Sequence, residues 1–179
     1  TAALLAGLWS YAIANEKRAP ARALAIAAPM SGTARASLAY NAFAARSVRD
    51  PKTKVSASEM RLAQAAYRSE PLSAPALGIL AVSMANGEQA RQRQAVLDLA
   101  GKINRRNMLV NNELIKAAAM RGDNRTFFTW LSRVMLAGNE AKVTYGAAMA
   151  DATSRNGTVE ALAPIIGPDP RWADYYWTL

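Results

Sequence analysis

The sequence runs to 179 residues, 51% of them apolar, with 22 Lys and Arg against 13 Asp and Glu for a net charge of +9. That length suits one domain with a buried core, and the apolar fraction excludes a disordered chain. Cys and His are both absent, which removes disulfides, thiol nucleophiles, zinc sites of the usual type and imidazole bases; any catalysis would rest on carboxylates, Lys, Ser or Tyr.

The apolar mass is mostly Ala and Leu, with only 7% aromatic residues and few β-branched runs. Ala and Leu are strong helix formers, so the expected class is all-α. The basic balance favours acidic partner surfaces or anionic lipid. Nucleic acid is not expected, because the Arg residues are scattered rather than gathered around aromatic platforms.

Residues 1–14 are nearly all apolar, with Leu4, Leu5, Leu8, Trp9, Tyr11 and Ile13 set among small residues, and Asn15, Glu16, Lys17 and Arg18 stop the run. A full span needs about 20 apolar residues, but the sequence opens on Thr1 without an initiator Met, so the expectation is a segment that continues upstream. Three readings are open: the end of a membrane anchor, a signal-peptide core with a small-x-small site at Ala12-Ile13-Ala14, or a first soluble helix packed on the repeats. Trp9 and Tyr11 just before charged residues favour the anchor, with Leu4, Leu5, Leu8, Trp9 and Tyr11 as membrane-contacting residues.

An Ala-rich stretch over 21–29 then ends at Pro29-Met30-Ser31, and Pro71-Leu72-Ser73 marks a similar junction, because Pro lacks an N–H and crowds the preceding turn. Helices are expected over 33–45, 56–69, 74–85, 88–103, 108–120, 124–136, 142–155 and 159–166, the last limited by Pro164. Ser56-Ala57-Ser58-Glu59 fits a capping box. The polar stretch from Arg46 to Val55 contains Asp50-Pro51 and reads as an extended loop. Later junctions are expected near Asn107 and Lys142.

Three turns recur in phase: Asn86-Gly87-Glu88, Arg121-Gly122-Asp123 and Asn156-Gly157-Thr158, their glycines 35 residues apart each time. Gly suits the left-handed position that closes one helix, and the polar residue after it can cap the next. Helical hairpins in phase stack into a solenoid.

This arrangement resembles tetratricopeptide (TPR) repeats over about residues 17 to 170, with the Gly122-Asp123 turn and the Ala-rich run ending in Pro29 as pieces of that pattern; Sel1-type and other helical-hairpin repeats share these features. The resemblance implies a right-handed superhelix (α-solenoid) of antiparallel helix pairs. The chain also resembles bacterial proteins that hang a degenerate TPR array from one N-terminal membrane helix. The division expected is therefore a hydrophobic segment over 1–16 and a repeat domain over 17–179. That likeness implies a periplasmic domain, although Lys17 and Arg18 just after the apolar run pull towards the cytoplasmic side.

In TPR-like arrays the first helix of each pair lines the concave face. By resemblance, Asn111, Asn112 and Lys116 are candidates for partner contact: Asn112 and Lys116 share a face at i, i+4, Asn can bond a peptide backbone, and Lys can hold a carboxylate. Arg91, Arg93, Arg105 and Arg106, on or just after a second helix, would face outward. Phe127, Phe128 and Trp130 would form core between repeats.

The C-terminal run Arg171-Trp172-Ala173-Asp174-Tyr175-Tyr176-Trp177 has two readings. A repeat array needs a cap over its exposed end, and Trp172 and Tyr176 are spaced to share one face. Alternatively Trp172, Tyr175, Tyr176 and Trp177 form a docking patch. No phosphate-binding Gly loop, dinucleotide fingerprint or paired carboxylates appear, and Asp98, Glu113, Asp123 and Glu140 read as isolated on exposed positions. The expected function is therefore a non-catalytic protein-binding adaptor in an envelope or membrane complex, without cofactor or metal. The alternative is a structural accessory subunit of such a complex.

Overall fold

Eleven α-helices and no strand are found among the residues that the computed structural model describes, 2–27, 31–84 and 89–179. They are α1 (Ala2–Asn15), α2 (Pro20–Ala27), α3 (Gly32–Arg49), α4 (Ala57–Ser69), α5 (Ala74–Ser83), α6 (Ala90–Ile103), α7 (Met108–Met120), α8 (Asn124–Met135), α9 (Asn139–Thr153), α10 (Thr158–Ile166) and α11 (Ala173–Tyr176). The chain divides into two compact units, Thr1–Asn104 and Arg105–Leu179. The expected turns at Pro29-Met30 and Asn86-Gly87-Glu88 lie outside the described residues.

In the first unit each helix packs on the next, and α3 also packs on α5. Alanines make these crossings. Ala12, Ala23 and Ala34 meet where α1, α2 and α3 come together, and Ala36, Ala66 and Ala76 meet where α3, α4 and α5 do. With only a methyl at each contact, three successive helices can approach one another closely.

The starts of α3 and α4 are fixed by side chains. Ser31 caps α3 by accepting the Ala34 N–H at 3.0 Å, and its own hydroxyl donates to Glu16 at 2.5 Å. From the end of α4, the Glu70 carboxylate accepts the Thr33 N–H at 2.9 Å and the Thr33 hydroxyl at 2.6 Å. Gly32 leaves room for this contact, because a Cβ would stand 2.7 Å from Ser69 Oγ and 2.8 Å from the Glu70 side chain and would push them aside. The capping box of α4 is formed as its spacing predicts: the Ser56 N–H donates to Glu59 at 2.7 Å, and the Glu59 N–H donates to Ser56 Oγ at 3.3 Å.

The expected loop from Arg46 is corrected. Helix α3 continues through Arg49, because the Arg46 guanidinium grips the buried Glu59 carboxylate with two bonds of 3.0 and 2.6 Å and holds the last turn of α3 against α4. Asp50-Pro51 then stops the helix. Pro75 sits in the first turn of α5, where a missing N–H costs nothing.

In the second unit α7 spans the expected residues, capped by Asn107, whose Oδ1 accepts the Val110 N–H at 3.1 Å. Gly122 is left-handed, with φ 67°, and the Asp123 N–H turns back to the Ala118 carbonyl at 3.0 Å. Asp123 then caps α8 by accepting the Thr126 N–H at 3.0 Å. Gly157 is left-handed too, with φ 74°. The next residue departs from the expectation: Thr158 is buried, and its hydroxyl bonds back to the Thr153 and Arg155 carbonyls rather than capping α10. Helix α9 begins at Asn139, ahead of the junction expected near Lys142, and α10 runs through Pro164 to Ile166.

Phe128, Leu131, Val134 and Met135 of α8 form the centre of this unit's core, joined by Ile115, Met149, Leu162 and Trp172. Phe127 and Trp130 are half-buried and pack against it.

No helix among the described residues is long and apolar enough to cross a membrane. Helix α1, with 14 residues, is about 21 Å long at 1.5 Å per residue, against a hydrocarbon core of about 30 Å.

Candidate functional site

In the second unit, the start of α7, the turn after α8 and the first half of α9 enclose a groove of about 440 Å³. Arg106 and Met108 line one side, Glu140, Thr144 and Tyr145 the other, and Ala137, Gly138 and Ala141 complete it. The small residues keep it open. Tyr145 is held in place because its hydroxyl donates to Asn112 Oδ1 on α7. Arg106 and Glu140 bring opposite charges to a groove that also offers the Met108 thioether and the Tyr145 ring.

The first unit holds a groove of about 420 Å³, lined at the start of α3 by Thr33 and Ser37, in the α4–α5 turn by Glu70 and Leu72, and also by Lys17 and Asn104. Glu70 is already committed to the α3 N-terminus there.

The sequence candidates separate. Asn111 is wholly buried; its Nδ2–H donates to the Arg105 carbonyl at 3.0 Å, and its Oδ1 has no hydrogen-bond partner among the described residues. Adjacent residues on a helix point about 100° apart, so Asn111 faces inward while Asn112 turns to Tyr145. Lys116 is exposed, and its ammonium pairs at 2.9 Å with Glu113, which is itself buried. Glu113 is therefore not isolated on an exposed position. Asp98 accepts from Gln94 at 2.8 Å and Asp123 caps α8, so neither is isolated. Of the four arginines expected to face outward, Arg91, Arg105 and Arg106 are exposed, whereas Arg93 is half-buried and donates to the Ala81 carbonyl at 3.2 Å.

The C-terminal aromatics also divide by environment. Trp172 is 0% exposed, and its indole N–H donates to Ser132 Oγ at 3.0 Å. Tyr176 lies edge-on to Trp172 and donates to Thr153 Oγ1 at 3.3 Å. Tyr175 lies over Gly146, where a Cβ would come within 2.8 Å of its ring. Trp177 is 69% exposed. Leu4, Leu5, Leu8, Trp9 and Tyr11 of α1 are all exposed.

Burial pushes the Glu59 carboxyl upward, but the Arg46 and Ser56 hydrogen bonds outweigh it and hold the group below its usual range. Hydrogen bonds from Thr126 hold Asp123 low, and burial raises the Tyr40 hydroxyl.

Sequence reasoning missed Tyr145, Glu70 and Gly146. Gly146 carried a signal, since a lone Gly inside a helical pattern often marks close approach of another group. Tyr145 and Glu70 carried none, because their partners lie 33 and 37 residues away in the chain. No family model, no curated protein and no solved structure matches the chain.

Proposed function

We propose that the chain is a non-catalytic, TPR-like adaptor, a right-handed superhelix of antiparallel helix pairs that binds another protein within a bacterial membrane or envelope complex. The observation that carries this reading is the groove between the starts of α7 and α9. These are the first helices of successive pairs, and first helices line the binding face in arrays of this kind. The carboxylates add support from the other side: Glu59, Glu70, Glu113 and Asp123 are engaged in caps and ion pairs, which leaves them poorly placed for acid–base work.

A photo-crosslinking side chain at Thr144 should join the chain to one discrete polypeptide in native membranes, while the same group at Glu160, exposed on α10, should not. A second reading, a structural accessory subunit, is favoured by the bare Trp177 and Leu179 at the C-terminus. Adducts formed from position 177 and never from 144 would decide for it. The location that goes with the adaptor is the periplasmic face, with α1 at the bilayer. Protease added to intact spheroplasts should then degrade the chain; degradation only after lysis would rule that face out.

A further inference from the structure

Every residue from Ala3 to Tyr11 is exposed, and Ala12 alone of α1's described side chains is buried, against α2 and α3. The helix packs on α2 through this small-residue contact and leaves its large apolar side chains uncovered. Its large apolar side chains form two stripes, Leu4, Leu8 and Tyr11 on one and Leu5, Trp9 and Ile13 on the other. The remaining side is Ala3, Ala6, Gly7, Ser10 and Ala14. No side of it carries a charge.

That distribution selects the occupant. A groove on a partner protein would cover one stripe and leave the other in water. A helix lying in the plane of a membrane needs a strongly polar face, which α1 lacks. Apolar surface all round suits a helix surrounded by hydrocarbon, entered end-on. At about 21 Å, α1 reaches beyond one leaflet of about 15 Å.

The base of the helix is built for the other half of a lipid. Trp9 and Tyr11 lie close to the polar boundary, where such rings collect. Lys17 and Arg18 come directly after it, and Arg22 opens α2; all three are exposed and make no ion pair among the described residues. The one acid there, Glu16, is turned to the Ser31 hydroxyl. Charge is also uneven along the chain: residues 1–104 hold 13 Lys and Arg against 6 Asp and Glu, and residues 105–179 hold 9 against 7. The unit that carries α1 is thus the one an anionic surface attracts.

We propose that α1 inserts end-on into a bilayer and that Lys17, Arg18 and Arg22 at its base form a binding site for anionic lipid headgroups. This rests on the membrane-associated reading above. The test is flotation of the chain with vesicles of pure phosphatidylcholine or of phosphatidylethanolamine with 30% phosphatidylglycerol, at low and high salt. Lys17→Gln/Arg18→Gln/Arg22→Gln and Leu5→Asp/Leu8→Asp are compared, with circular dichroism confirming that each variant is folded.

The chain should prefer the anionic vesicles. The triple variant should lose about a hundredfold in apparent affinity for them, as three basic groups near such a surface imply, and keep its weak binding to the neutral ones. Leu5→Asp/Leu8→Asp should bind neither, and brominated acyl chains should quench Trp9 fluorescence, with Trp9→Phe as the control. Equal binding to both vesicles, unchanged in the triple variant, would overturn the headgroup site and leave the membrane reading standing. No flotation with either would overturn both. A concentration-dependent dimer abolished by Leu5→Asp/Leu8→Asp, without vesicle binding, would assign α1 to a second copy instead.

Discussion

At the residue scale, Glu59 shows how one carboxylate can hold two helices. It closes the capping box of α4 and receives the Arg46 fork from α3, while being almost fully buried. Glu59→Ala should lower stability by about 2 kcal/mol, the combined size of a lost cap and a lost charged hydrogen bond, read as a fall in urea midpoint. The direction of its shift sets the pH dependence. Because the folded carboxyl sits below its unfolded value, its contribution is complete above the unfolded pKa and fades as pH falls through the folded one. Glu59→Gln should therefore have a melting temperature that changes less than that of the native chain on acidification from neutral pH to about pH 3; parallel curves would show that the pair contributes nothing. Gly146 gives a second residue-level test. Gly→Ala inside a helix ordinarily stabilises by about 1 kcal/mol, but here the new methyl meets the Tyr175 ring at 2.8 Å, and the net effect should be a loss of about 1–3 kcal/mol. Adding Tyr175→Ala should recover part of it; independent, additive effects in the double-mutant cycle would sink the contact.

At the element scale, helix boundaries set by local chemistry were legible in the sequence, and those set by partners across the fold were not. The Ser56–Glu59 box, the Asn107 start and the left-handed Gly122 and Gly157 all depend on groups within a few residues. The extra turn of α3 depends on Glu59, 13 residues on, and so looked like a loop. Gly122 has open space around the position of a Cβ, so only its backbone conformation resists substitution. Gly122→Ala should cost about 1 kcal/mol, and Gly122→Asn less, because Asn tolerates the left-handed region better. Equal melting temperatures for the two variants would show that the turn adjusts to either residue. The groove was legible only as a helix assignment: its walls come from the starts of α7 and α9, but Asn111 and Lys116 turned to other tasks while Tyr145 took the lining position.

At the scale of the whole molecule, stability is expected to be distributed by unit. Trp172 lies in the core of residues 105–179 and bonds Ser132 on α8, 40 residues away. Trp172→Ala should cost about 3–5 kcal/mol, the range for removing a fully buried aromatic. Amide exchange should rise first through α10 and the facing turns of α8 and α9, while α3 to α5 stay protected. Exchange rising equally in both units would show a single cooperative block. The sequence by itself determined the all-α class and the left-handed turns at Gly122 and Gly157, because these depend on propensity, Pro and Gly positions and capping side chains within a few residues. Tertiary structure alone decided that Trp172 is core and Trp177 bare, that Asn112 holds Tyr145, and that the large apolar side chains of α1 stay uncovered. Each of those depends on which distant side chain fills the facing space, and periodicity records only which face is apolar, not what meets it.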